Sequence, residues 1–557
     1  MILLGPYAAQ SCPVKTQHEY DPLTPPAPSD DGAAQERFAG SLQFHDEILP
    51  QLAATPGALD LRGRADAISA TRQAVAEGVP LIIHPRLPWS VDGHRKGNPA
   101  ALVRDTDRAD GTPGYLPLRI HRHLVLERQK MLEPWAWTSP LHSPSRSGAR
   151  DLTEASFRTG REGDALQLAH MWRMLEELGW VAPGPPIGGL IGTDAIADLD
   201  GATGVVWLSL VHKAFRTFSR SSSTGWKKRS ALERYDHEFG FRVKVAQTAQ
   251  AHHSPDDRLM VSPIVTRECS SCQWWTTCAP ALDDDDLSAQ ILKAPLDVRE
   301  IGALRKLGIT TVTDLVGTDL ESILDQYLPE VQHRPGSEGR LRLAAKRAQL
   351  IAEGVVLKRM DDIPANLPEH ELEIDFDIET SRDDRIYLWG FLVHDRATGE
   401  VDYHAFADFS ALDDETEGAL AARAGEWLAR LCADRDAQIY HYSDYELVHL
   451  AKVAGMTKDS HLLSLLAQRE LFTDLFACVK QHWFGAHGLG LKVVAAEGPG
   501  FSWRDSDPSG LASQGWFADS IGAATAEDRQ AAATRVLEYN EDDVRATFAV
   551  RQWLRDT

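Results

Sequence analysis

From Glu371 to Glu379 acidic and apolar residues alternate without a break, with Leu372, Ile374, Phe376 and Ile378 on one face of an extended chain and five acids on the other. A period of two marks a β-strand, and alone the row reads as an edge strand with a solvated face. Five like charges on one face repel each other unless cations sit among them. Residues two apart on a strand lie ~7 Å apart on the same face, so Asp377 and Glu379 can reach two metal ions ~4 Å apart. Partners for them lie further along the chain. Tyr539 and Asp543 stand i and i+4 on an expected helix and share a face. AQIYHYSDYELVHLAKVA reads as a strand running into a helix and sets Asp444 and Glu446 at the strand's C-terminal end. Lys492, in LGLKVVAA, is a candidate phosphate contact or an ordinary surface lysine.

A second signal is RECSSCQWWTTCAP, in which Cys269, Cys272 and Cys278 are spaced C-x2-C-x5-C, with Cys12 far upstream as a fourth thiolate. Six cysteines are too few to scaffold 557 residues with disulfides, and their clustering points to metal ligation. Zinc more often shows two short pairs or added histidines. Three close thiolates and a remote fourth fit an iron–sulfur cluster of the 4Fe-4S kind, with zinc as the alternative. Such a centre would staple the N-terminal arm to the end of the first domain.

Basic residues Lys213, Arg216, Lys227 and Lys228 interleave with Phe215, Phe218 and Trp226, a combination suited to single-stranded nucleic acid; the competing reading is a solvated helix end and loop. Arg342, Lys346 and Arg347 make a second basic stretch, either tracking phosphates or solvated. The net charge of −23 excludes wrapping of nucleic acid by the whole surface and confines any phosphate contact to patches. No apolar run reaches the ~18 residues of a membrane span, and MILLGPYAAQSC lacks the basic start of a secretory signal. A cytoplasmic protein without a membrane partner is expected.

The length calls for two to four domains. QERFAGSLQFHDEILPQLAAT reads as an amphipathic helix with Phe38, Leu42, Ile48 and Leu52 among its apolar positions. VPLIIHPRLPWSVDG reads as a buried strand followed by a turn, PALVRD and YLPLRIHRHLVLE as two paired strands, ALQLAHMWRMLEELG as a helix, and GGLIGTDAIADLDGATGVVWLSLV as two more strands, an α+β or α/β core in a first domain of 1–285. Asp283 to Asp286 look like a solvated linker into short helices over 286–360, similar to a helix-hairpin-helix element around Leu307 to Ile309. Residues 361–557 give three strands, a helix, a strand and further helices, including LFTDLFACVKQHW and a long final one.

Cys12 with C-x2-C-x5-C beside an α/β core resembles the iron–sulfur nucleases of the RecB family, of the AddB type. That resemblance implies a restriction-endonuclease-like core whose metal site uses an Asp on one strand, an Asp/Glu-x-Lys on the next and a Gln-x3-Tyr helix. Here Ala100 stands at the first acid, Arg119 and His121 replace the acid and the lysine, and Gln167 is followed by Met171. A cation site cannot exchange two carboxylates for Ala and Arg, so a domain without its original chemistry is expected. Asp92, Asp105 or Asp107 are the candidates to restore it.

Residues 361–557 resemble the DEDD exonucleases, the DnaQ-like 3′-to-5′ group on an RNase-H-like fold. Asp377 and Glu379 match Asp-x-Glu, Tyr539 and Asp543 match the final Tyr-x3-Asp, and Tyr445-Glu446 stands for the usual aromatic-Asp, with Asp444 as substitute. The resemblance implies two Mg²⁺ or Mn²⁺ ions on Asp377, Glu379, Glu446 and Asp543, with Tyr539 orienting a water. It implies a hydrolase acting on single-stranded DNA ends in repair or processing. The alternative is a non-catalytic nucleic-acid adaptor with two inactive nuclease folds, recruiting a helicase.

Overall fold

The computed structural model describes residues 1–27, 32–128, 135–254, 256–506 and 509–557, the side chains of 32–41 excepted. The chain divides into two compact units, one of Met1–Ala289, Leu296–Asp314 and Thr318–Leu341, the other of Gln290–Pro295, Leu315–Gly317 and Arg342–Thr557. Among the described residues no helix is long and apolar enough to cross a membrane.

The first unit is built on β1 (Leu59–Asp60), β2 (Leu81–Ile83), β3 (Ala101–Arg104), β4 (Tyr115–Ile120), β5 (Ala136–Pro140), β6 (Arg150–Asp151), β7 (Ile187–Ile191) and β8 (Gly204–Ser209), in spatial order β1-β2-β3-β4-β7-β8-β5-β6. Strands β3 and β4 pair antiparallel with Ala101 opposite Leu118, β7 and β8 pair antiparallel, and β4 runs parallel to β7. The central strands are apolar on both faces because helices cover them. Helices α1 (Pro13–Tyr20), α2 (Glu162–Glu177) and α3 (Ala231–Gln250) belong to this unit. A capping box starts α3, with Ser230 and Glu233 each accepting the other's backbone N–H.

Three expectations change here. In the helix Gly32–Ala53, Ile48 and Leu52 are buried but Leu42 is exposed, and Phe38 lies outside the described side chains. The basic and aromatic stretch is neither helix end nor loop but an antiparallel hairpin of β9 (Phe215–Phe218) and β10 (Trp226–Arg229). Its β-branched, aromatic and long side chains suit a pleated surface. Asp286 is not solvated: Oδ1 accepts from the amides of Ser288 and Ala289, and Oδ2 from Arg305 at 3.1 Å.

The second unit centres on β11 (Leu372–Thr380), β12 (Ile386–Asp395), β13 (Glu400–Ala407), β14 (Ala437–His441) and β15 (Phe472–Asp474), in order β13-β12-β11-β14-β15. The expected helix LFTDLFACVKQHW is divided, since Phe472–Asp474 pairs with β14 and only Leu475–His482 is helical. Asp474 ends the strand and caps that helix by accepting from Phe476 N at 2.9 Å. Helices α4 (Asp414–Cys432), α5 (Tyr445–Thr457), α6 (Leu491–Glu497), α7 (Gly510–Gly522) and α8 (Ala526–Asp556) complete the unit.

The acidic strand β11 is therefore central, not an edge. It runs antiparallel to β12 and parallel to β14, and α8 lies against it. Glu373 and Asp375, expected to be solvated, are fully buried. Arg551 of α8 donates through Nε and Nη2 to Asp375 at 3.1 and 2.7 Å and through Nη1 to Glu373, and Arg555 donates to Glu373 at 2.5 Å. Burial pushes the Glu373 carboxyl up, but Arg555 and Arg551 outweigh it and hold it at about 2. Alternation shows that a face is charged; it does not show what covers it.

Candidate metal centre

Asp377 and Glu379 continue the same face of β11 toward its C-terminal end, and α8 brings Asp543 and Tyr539 over it. Ligand atoms of Asp377, Glu379 and Asp543 lie within 4.8 Å of one another, with Glu379 and Asp543 buried and Asp377 reaching the surface. Glu446, in the first turn of α5, is buried, and among the described residues its Oε2 has no hydrogen-bond partner, His441 Nδ1 standing 3.7 Å away. Asp444 is exposed at the start of the same helix. Of the two candidates for the middle position, Glu446 is the buried one; it feels the charge of Asp543, and Asp377 feels the charge of Glu446.

Burial is the largest influence on all four acids and disfavours their charged forms. Glu379 is pushed up to about 8, with Asp543 adding to the effect, and Glu446 to about 8, with Asp474, Asp444 and Asp543 adding. Asp377 is raised well above the usual carboxylate range by burial, Asp543, Glu379 and Glu446. A cluster of this kind is costly unless protonated or neutralised by cations, and an unpartnered carboxylate oxygen such as Glu446 Oε2 is what an ion would satisfy.

Several residues hold the acids in place. Asn540 Nδ2 donates to Asp377 Oδ2 at 2.7 Å, and Tyr403 OH donates to Asn540 Oδ1 at 2.8 Å. Gly390 faces Asp377 across the β11–β12 ladder, and a Cβ there would stand 1.7 Å from Asn540 Oδ1. Trp503 Nε1 donates to Asp543 Oδ1 at 2.7 Å. Tyr387 OH lies 3.5 Å from Glu379 Oε2 and 2.7 Å from Ser513 Oγ. Lys492, at the start of α6, donates to Tyr539 OH at 2.9 Å, and burial raises the Tyr539 phenol with Asp543 and Glu379 adding. Asn540 was available to sequence reasoning, being three residues before Asp543 on the same helix face. Trp503 and Gly390 carry no such signal.

The remaining candidates lie elsewhere. Cys12, Cys269, Cys272 and Cys278 line a cavity in the first unit with Val14, Ile264 and Trp274. Cys12 N donates to Glu268 at 3.0 Å, and His18 Nε2 lies 3.3 Å from Cys278 Sγ. Burial raises the Cys278 thiol to about 11, with the other three cysteines adding. Sulfurs around one zinc ion stand ~3.8 Å apart. Among the described residues the sets of three or more such groups within 4.8 Å are the acids above and His121, His123 and Asp164, without the cysteines.

On the hairpin, Lys213, Arg216, Lys227 and Lys228 are exposed, but the aromatic faces are occupied. Arg216 packs over Trp226 at 3.9 Å and Arg299 over Phe218 at 3.4 Å, while Phe215 is buried. Arg342 and Lys346 are exposed on the helix Ser337–Ala352, whereas Arg347 is buried and donates to Lys293 O at 2.6 Å. Asp105 and Asp107 follow β3 at the Arg104–Tyr115 end of its pairing with β4, away from His121, and Asp107 pairs with Arg104 at 3.0 Å. Asp92 is exposed.

Comparison with curated proteins and with solved structures returned no match. Residues 374–555, which contain all four acids and Tyr539, match the family model of the RNase_H superfamily, whose members usually hydrolyse phosphodiester bonds with metal ions; this part of the second unit is an RNase-H-like domain.

Proposed function

We propose that this domain is a metal-dependent exonuclease, degrading single-stranded DNA from the 3′ end in repair or processing in the cytoplasm. The convergence of Asp377, Glu379 and Asp543 beside the unpartnered Glu446 oxygen carries the reading. Two Mg²⁺ or Mn²⁺ ions held by these four acids would supply Lewis acidity to the scissile phosphate and its leaving oxygen. The phenol of Tyr539, fixed by Lys492, orients the attacking water in line with the leaving group. Asn540 and Trp503 keep Asp377 and Asp543 from rotating away. Asp377, on the open side, is where the strand end enters.

In the first unit, Lys213, Lys227 and Lys228 contact backbone phosphates, while Arg216 and Arg299 cover the aromatic rings bases would need. The four cysteines, which line one cavity, hold a 4Fe-4S cluster on a RecB-like core without its original acids. Iron and sulfide analysis of anaerobically purified protein tests this, and a zinc-only result overturns it.

End-labelled DNA and RNA incubated with Mg²⁺ or Mn²⁺ test the activity. Stepwise release of nucleotides from DNA, lost on Asp377→Ala, supports the proposal. Binding without turnover under either ion, with affinity falling steeply as salt rises, points instead to the adaptor.

A further inference from the structure

Another set of converging ligand groups lies in the first unit, where the proposed hydrolysis does not use it. His121 and His123 follow the C-terminal end of β4, and Asp164 lies in the first turn of α2. Asp164 Oδ2 is 2.7 Å from His123 Nε2, while Oδ1 is 3.7 Å from His121 Nδ1, too far for a hydrogen bond. One carboxylate is thus flanked by two imidazoles.

The turn that carries the rings is fixed by the strand beside it. His121 N donates to Ile191 O at 2.8 Å, and Thr193 N donates to His123 O at 3.1 Å. Asp194 accepts from the amides of Val125 and Leu126 at 2.8 and 3.0 Å. A Cβ on Gly192 would stand 2.7 Å from His123 O, so the turn closes this tightly only over a glycine.

A hydrogen-bonded His–Asp pair accounts for His123 and Asp164 but not for His121. Its side chain is 8% exposed; Nδ1 is the ring atom nearest Asp164, and Nε2 has no hydrogen-bond partner among the described residues. A buried ring nitrogen left unsatisfied is costly and calls for a ligand.

We propose that His121, His123 and Asp164 bind a divalent transition-metal ion of the Zn²⁺ class. Ligand atoms of the three lie within 4.8 Å of one another, a separation that small ring rotations close around one ion. Two imidazoles and one carboxylate suit zinc better than Mg²⁺, which prefers oxygen ligands. Three protein ligands leave a fourth tetrahedral position, and His123, 27% exposed, gives it access to solvent.

The test is zinc titration calorimetry on chelator-stripped full-length protein, with Asp164→Asn and His123→Gln compared with the parent chain. Each variant should bind one Zn²⁺ fewer, and the same equivalent should be lost when the substitutions are made on an Asp377→Ala background. Cobalt replacement should show ligand-field bands that disappear in both variants while any thiolate charge-transfer absorption persists. His123→Gln changes a partly exposed ring, so it reports even if Asp164→Asn fails to fold, with circular dichroism as the check. An unchanged zinc count in folded His123→Gln, or a parent chain whose zinc is all lost with the cysteines, overturns the site.

Discussion

Asn540 donates its side-chain N–H to Asp377 Oδ2 across 2.7 Å, joining the middle of the acidic strand to the last helix. The bond points one carboxylate oxygen away from Asn540 and into the cluster. Asn540→Ala should lower ion affinity and turnover by about 10- to 100-fold without loss of fold, as orienting partners of metal ligands do. Mn²⁺ titration of the cleavage rate measures it. A variant with parental Mn²⁺ dependence would show that the orientation is immaterial.

Gly390 makes room for that asparagine. Gly390→Ala forces Asn540 or β12 to move and should destabilise the second unit by about 1–3 kcal/mol. Because the contact is with a group that holds Asp377, activity should fall beyond what the loss of folded protein explains. Denaturant melts and specific activity per folded molecule separate the two effects.

Arg551→Met would leave Glu373 and Asp375 buried beside a neutral side chain. Removing one partner of such a cluster costs about 3–5 kcal/mol, and Arg555 reaches only Glu373. Replacing all three together by Leu or Met should cost far less. Equilibrium unfolding of the single and triple variants distinguishes a buried charge penalty from lost packing.

The ion-free protein should lose stability as pH rises. Glu379 and Glu446, held up to about 8 chiefly by burial, bind more protons folded than unfolded from ~4.3 up to about 8, so unfolding becomes easier across that window. Glu373, held at about 2, acts with the opposite sign and only at lower pH. Thermal melts in chelator should shift downward toward pH ~8, Mn²⁺ should restore them most at that end, and Glu379→Gln should flatten the dependence. Melts in chelator that rise with pH through this window would contradict the placement of the acids.

Lys492 and Tyr539 should behave as a unit. Tyr539→Phe and Lys492→Met are each expected to reduce kcat by up to about 100-fold through misplacement of the attacking water. The double variant should be no slower than Tyr539→Phe alone, since the lysine acts through the phenol. Additive losses would assign Lys492 a separate contact with the phosphate.

What the sequence displayed was local. Periods of two and of about four put Asp377 with Glu379 and Tyr539 with Asp543, because spacing alone decides which side chains share a face. Spacing could not separate Asp444 from Glu446, two residues apart at a helix start, because it does not show that the first is exposed and the second buried. Nor could it see that Glu373 and Asp375 meet Arg551, 176 residues from Asp375, because an arginine on a helix face looks alike whether it faces water or a carboxylate. The hairpin at Phe215–Phe218 and Trp226–Arg229 escaped for a related reason: arginine and aromatic residues that stack on one another have the composition of a surface that stacks on bases.

Along one face of β11, from Glu373 to Glu379, the chain meets the same electrostatic problem twice. Eight residues of α8 separate Arg551 from Asp543, ~12 Å of helix, and the four acids span ~20 Å of strand, so a single helix serves both ends. At one end the counter-charge is the guanidinium of Arg551; at the other, under the proposed function, it is supplied by divalent ions. The strand thus contains its own reference state for the proposed metal centre: with an arginine at 543 that end should resemble the other, its acids neutralised by a guanidinium and insensitive to divalent ions. Asp543→Arg is accordingly a route to a metal-independent form of this same scaffold.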